Sequence, residues 1–182
     1  MMADNNTCKY HERQSTMKCA IHAVNNMLQE PVYTKESFDQ IAKDLFHEEK
    51  ASKASEIYIN PYKNIFGLGN YDVSVIEMAF LRRKLVLKWW DMRKDFVDFD
   101  FEKDTLMGFL INYRGEKGFF SDLFKLIQPN HWYSIRKIGG VFYDVDSKLD
   151  KPKPFKSFED LSKRMKDLRK NEGFIFPIYK QE

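Results

Sequence analysis

Cysteine is scarce in this chain: Cys8 and Cys19 are the only two among 182 residues. Two thiols make no disulfide framework of the kind that staples small secreted domains. The N-terminus MMADNNT lacks the apolar core of a signal peptide. A reduced, cytoplasmic protein is therefore expected, with the nucleus as a second compartment. No apolar run approaches the roughly 20 residues needed to cross a bilayer, so no integral membrane segment is expected. Charge of one sign is missing too, since 30 Lys and Arg face 27 Asp and Glu for a net +3. So small and dispersed an excess is no nucleic-acid footprint, and no nucleic-acid partner is expected. Internal repeats, low-complexity tracts and linker-like stretches are also lacking, which with the length points to one domain over residues 1–182. Aromatics, in contrast, are plentiful: 16 Phe, 9 Tyr and 3 Trp favour a packed core over disorder.

Apolar residues at Ala20, Ala23, Val24, Met27 and Leu28 draw one stripe on a helix that Glu30-Pro31 ends. A second helix is expected after Thr34, with Phe38, Ile41, Ala42 and Leu45 on one face. From His47 to Asn60 the sequence is polar and weakly periodic, so a solvated, mobile arm is expected around residues 44–60. Asp72 can cap a third helix that turns Val73, Ile76, Ala79 and Phe80 inward. The period then changes to that of strands in KLVLKWW and LMGFLINY, separated by an acidic, Phe-rich connection. HWYSIRKI and VFYDVDSK flank Gly139-Gly140 as a hairpin. Ser157 and Asp160 open a last helix through Leu161, Met165 and Leu168, and FIFPIYK forms a final strand that Pro177 should confine to an edge or a bulge. Helices first and strands after make an α+β domain, N-terminal helices on a mainly antiparallel sheet.

Cys19 stands at the head of the first apolar helix, where the positive end of the helix favours a thiolate. Alone, such a cysteine is most simply a small buried core residue, and catalysis needs a base and a group that orients it. The hairpin supplies both. With Gly139-Gly140 as the turn, Ile138 faces Val141, which sets Tyr133 across from Asp146 and leaves His131 on the same face, diagonal to Asp146 at about 7 Å between Cβ atoms. Asp144 shares that face but lies two rungs further from His131, so Asp146 is the better partner. Without the cysteine, the pair would read as a surface histidine near a surface carboxylate. Gln14, just upstream of Cys19, can offer a side-chain amide to a tetrahedral oxyanion together with the backbone N–H of the nucleophile. The order Gln, Cys at a helix start, His on a strand, then Asp is that of papain-like thiol hydrolases.

The runs YHERQSTMKCAIHAVNNML, GNYDVSVIEMAF with WWDMRKD, GFLINY and NHWYSIRKIGGVFYDVDSKL resemble, in that order, the Josephin family of deubiquitinating cysteine proteases. Asp rather than Asn at the third triad position makes the chain most similar to the short Josephin proteins. The resemblance implies a papain-like Josephin fold, with Cys19 as nucleophile, His131 as general base, Asp146 as its orienting partner and Gln14 as oxyanion stabiliser. It implies a thiol-dependent hydrolase acting on isopeptide or peptide bonds at the C-terminal glycine of ubiquitin. Ubiquitin and ubiquitinated proteins are then the partners of a monomer that needs no cofactor and no metal. The region from Asp44 to Asn60 corresponds to an arm beside the family's active site, and Arg82 and Arg83 stand where other members carry different residues.

Two other classes compete with this one. Cys8-x-x-His11 and Cys19-x-x-His22 could hold zinc, but the spacing fits no common finger and places His22 on the helix of Cys19. The stronger rival is a ubiquitin-binding module with little or regulated turnover. Cys8 is expected to be an ordinary thiol, His47 a solvated histidine, and Trp89-Trp90 packing residues at a strand end.

Overall fold

The structure is a computed structural model that describes residues 7–14, 18–52, 71–96, 99–113, 131–171 and 173–182, with residues 51 and 52 described by backbone alone. Helix α1 (Cys19–Leu28) follows the apolar stripe and stops where Gln29 turns left-handed at φ 63°. Helix α2 (Lys35–Ser52) starts on a reciprocal cap in which Ser37 N donates to Thr34 Oγ1 and Thr34 N donates to Ser37 Oγ. Helix α3 (Val73–Leu81) is capped by Asp72, whose carboxylate accepts from Ser74 N. Helix α4 (Phe158–Lys170) is capped by Ser157 accepting from Asp160 N, as its S-x-x-D signature predicts.

Strands β1 (Leu85–Leu87), β2 (Leu106–Tyr113), β3 (His131–Ile138), β4 (Val141–Asp144), β5 (Lys153–Pro154) and β6 (Phe174–Lys180) form an antiparallel sheet in the order β1-β6-β2-β3-β4-β5. The α+β class is as expected, and α1 packs against β3, where Ser134 Oγ donates to the Ala23 carbonyl. Alternation along β2, β3 and β6 divides the core. Leu110, Trp132, Phe176 and Ile178 face α1, α2 and α3, while Phe109, Tyr133, Ile135 and Ile175 face α4.

The Phe-rich connection belongs to this second layer. Phe96, Phe99 and Phe101 are buried against Phe109 and Phe142, so a segment that reads as an acidic connection between strands contributes about 1.5–3 kcal/mol per ring to the core. Trp90 stacks on Phe96 in that cluster, whereas Trp89 is 63% exposed and meets Phe174 and Phe176 edge-on. Both follow the end of β1, which is shorter than the KLVLKWW run.

Three expectations change. Pro177 does not mark an edge, because β6 lies between β1 and β2. Its carbonyl accepts from Lys88 N, so its missing N–H faces the side where three-residue β1 has already ended, and no β2 rung needs it. A bulge between Leu106 and Gly108 lies nearby in the β2–β6 ladder. The polar stretch after His47 is not loop from its start, since α2 continues through Ser52. Lys35 reaches Asp39 and Gln40 reaches Asp44 at four-residue spacing, supporting a helix whose far end lacks an apolar stripe. Residues 53–60 of the expected arm lie outside the described residues. Finally, VFYDVDSK is strand only through Asp144, and Asp146, Ser147 and Lys148 leave the sheet to build the site.

Candidate active site

Gly139 and Gly140 take φ of 56° and 81°, the pair of positive values a two-residue hairpin turn demands. The turn sets the register: Ile138 pairs with Val141 and Ile135 with Asp144. One more rung is made by Val145 N on the Ser134 carbonyl, and then the chain leaves the ladder. Asp144 Oδ1 accepts from Asp146 N at 3.0 Å, and Asp146 Oδ1 accepts from Lys148 N at 2.9 Å. These two side-chain turns replace the ladder and aim the Asp146 carboxylate at His131, whose Nε2 lies 2.7 Å from Oδ1. Both residues are buried.

His131 opens β3 between Tyr113, edge-on at 5.8 Å, and Tyr133, stacked at 6.0 Å between ring centres. Its second hydrogen-bond partner is Cys19. With Nε2 taken by Asp146, the thiol is left to Nδ1. Burial by itself would pull the His131 pKa down, but the hydrogen bonds to Asp146 and Cys19 outweigh it and the net shift is upward. Cys19 is the first residue of α1, and Lys18 before it makes no side-chain capping bond to the first-turn amides. The structure therefore brings Cys19, His131 and Asp146 together.

Gln14 arrives by another route. Its backbone N donates to the Ser147 carbonyl at 2.7 Å, directly after Asp146, and its Oε1 accepts from Ser147 Oγ at 3.4 Å. With the amide oxygen occupied, Nε2 is the end left to donate to a substrate.

The strap that carries Gln14 is held by Glu12, Asn25 and Asn26, to which sequence reasoning assigned no role, and by His11 and His22 of the zinc pattern. Glu12 N donates to Asn26 Oδ1, and the Glu12 carboxylate receives Tyr10 OH, His22 Nδ1 at 2.5 Å and Asn25 Nδ2 at 2.9 Å. These bonds hold the Glu12 carboxyl below the usual carboxylate range, although burial opposes them. Asn26 Nδ2 also reaches the Val145 carbonyl, and His11 Nε2 lies 2.9 Å from the Asp146 carbonyl oxygen. One network thus joins the strap, α1 and the turn after β4. Its signal was present in the sequence, because Asn25 and Asn26 interrupt an apolar helix and a buried amide requires partners.

The four Cys and His residues of the zinc pattern go to separate partners. Cys8 Sγ lies 3.3 Å from Gln29 Oε1, His11 meets Asp146, Cys19 meets His131 and His22 meets Glu12. Burial pushes the Cys8 thiol pKa up, against weaker lowering by Gln29 and the Tyr10 carbonyl. His47 is exposed. Arg82 pairs with Asp44 of α2 at 2.9 Å and Arg83 with Glu30 after α1, so both tie helices together.

The Josephin family model matches residues 14–179, from Gln14 nearly to the end of β6. The chain belongs to the Josephin family. It is 35% identical to mouse Josephin-2 over 144 residues, covering 79% of this chain and 70% of that protein. It is 32% identical to a Josephin-like protein of Drosophila melanogaster over 147 residues, covering 79% and 61% of the two chains. Human ataxin-3-like protein is 28% identical over 152 residues, 79% of this chain and 38% of its own. Josephin proteins are in general cysteine-protease-type deubiquitinases. No helix among the described residues of this Josephin chain is long and apolar enough to cross a membrane.

Proposed function

We propose that this Josephin protein is a ubiquitinyl hydrolase, with Cys19, His131, Asp146 and Gln14 as its catalytic residues. The observation that carries the reading is the hydrogen-bonded series Cys19–His131–Asp146 at the start of α1, closed at 2.7 Å on its carboxylate side. The His131 imidazole beside Cys19 can take the thiol proton and so release the thiolate for attack. The thiolate attacks the carbonyl carbon of ubiquitin's C-terminal glycine. The oxyanion that forms takes hydrogen bonds from Gln14 Nε2 and the backbone N–H of Cys19. His131 protonates the departing amine, and a ubiquitinyl thioester remains on Cys19. His131 then takes a proton from water, the hydroxide displaces the thiolate, and free ubiquitin leaves. Asp146 holds the imidazole through Nε2 in both steps. No step needs a metal or a redox cofactor.

The reading extends to residues 1–182 as one catalytic unit acting as a monomer on ubiquitin and ubiquitinated proteins, with the arm at 44–60 influencing access. Its compartment is the cytoplasm, with the nucleus as a second site. Steady-state release of a fluorophore from the C-terminus of ubiquitin tests the activity. Turnover lost in Cys19→Ala supports it. Ubiquitin binding without turnover by the wild-type protein would replace it with the rival reading, a ubiquitin-binding module.

A further inference from the structure

We infer that Asp144 is a positioning residue for the reaction, holding Asp146 in line with His131 through its backbone; this rests on the triad proposed above. The ladder between β3 and β4 ends at Ile135–Asp144, and after the Val145 rung the sheet supplies nothing to fix the backbone of Asp146. What fixes its N–H is the Asp144 carboxylate at 3.0 Å. The same residue is held at its other end, where the Asp146 carbonyl meets His11 Nε2 at 2.9 Å and Leu149 N at 2.9 Å. With Lys148 N on its own carboxylate at 2.9 Å, Asp146 therefore owes its direction to four contacts outside the sheet, and only Asp144 brings a second carboxylate to it.

Asp144 is partly buried at the end of β4, and burial pushes its pKa up to about 6, with the neighbouring Asp146 charge adding to the rise and its bond to Asp146 N opposing it. Arg164 of α4 and Lys153 of β5 are the cations that act on it, and both lower its pKa. Ionised, Asp144 makes a charge-assisted bond to Asp146 N. Protonated, it offers a neutral acceptor, which is weaker. An amide at this position mimics the protonated acid at every pH, and a methyl group removes the acceptor altogether.

The test compares wild type, Asp144→Asn and Asp144→Ala in two measurements. In cleavage of a fluorogenic ubiquitin substrate near pH 8, kcat should fall about threefold in the Asn variant and about tenfold in the Ala variant, with KM little changed. The wild-type to Asn ratio should shrink toward one as pH falls through about 6, because the wild-type residue then becomes a neutral acceptor as well. The second measurement is an NMR titration of the His131 ring, which needs no turnover and so separates failure of this inference from failure of the proposed activity. The His131 pKa should fall in Asp144→Ala and fall less in Asp144→Asn. Wild-type kcat and an unmoved His131 pKa in Asp144→Ala would overturn the inference, as would a wild-type to Asn ratio that does not change with pH.

Discussion

His131 and Asp146 meet at 2.7 Å although no rung of the β3–β4 ladder joins them. The contact is made by Asp146 after its strand has ended, so the geometry depends on a turn built from side-chain acceptors. Orientation of the imidazole needs an acceptor at Nε2, and an amide oxygen can supply one. Asp146→Asn should therefore keep substantial activity, while Asp146→Ala loses on the order of 10²-fold in kcat. Steady-state cleavage of a fluorogenic ubiquitin substrate measures both, once circular dichroism has shown each variant folded. Equal loss in the two would mean that the charge, and not the acceptor, is what His131 requires.

Gln14 is tied at its backbone and its amide oxygen to Ser147, which leaves Nε2 to donate. Gln14→Ala should lower kcat by roughly 10²-fold and leave KM within a small factor, since the oxyanion exists only past the ground state. A variant with wild-type kcat would reduce Gln14 to a polar residue of the strap.

Glu12 gathers Tyr10, His22 and Asn25 and so holds the strap on α1. Glu12→Gln should cost about 1–2 kcal/mol of stability and lower kcat about tenfold, while alkylation of Cys19 by a small reagent stays close to wild type. Denaturant unfolding and the two rates together check this. A loss of stability with no loss of kcat would show that the strap carries Gln14 without needing Glu12.

The raised pKa of His131 has a consequence for stability. A histidine that binds its proton more tightly folded than unfolded stabilises the fold fully below about pH 6.5, and that contribution disappears as pH rises through the higher folded value. The stability gap between wild type and His131→Gln should then be larger at about pH 5.5 than at about pH 8.5. Urea titrations at the two pH values decide it, since titrating groups remote from His131 cancel in the difference. A gap that widens at high pH would contradict the upward shift.

Much of this site was legible because it depends on periodicity and on one turn. The apolar stripe placed Cys19 at a helix start, and two adjacent glycines set a register that ends at the Val145 rung and so delivers Asp146 to the turn beside His131. The rest was hidden because it is non-local. Pro177 reads as the mark of an edge or a bulge, and only the early end of β1 makes its missing donor harmless in an inner strand. Phe99 and Phe101 alternate with acidic residues as strand residues do, yet Phe96, Phe99 and Phe101 lie in no strand or helix, so their burial on β2 and α4 could not be read from spacing. Gly108 looks like a weakness in a strand. Yet its φ is 143° and a Cβ there would lie 2.0 Å from the Ile135 carbonyl oxygen, so Gly108→Ala should destabilise the fold by about 3 kcal/mol or more.

The central claim is that Cys19, and not the other thiol, is the nucleophile toward ubiquitin. Cys8 is held by Gln29 at the far end of α1, with its pKa pushed up by burial, whereas Cys19 hydrogen-bonds His131. Incubation with ubiquitin carrying a thiol-reactive electrophile at its C-terminus, with mass mapping of the adduct, tests this most directly. The adduct should form on Cys19, slow sharply in His131→Gln and leave Cys8 unmodified; an adduct on Cys8, or none on either cysteine, would contradict the account.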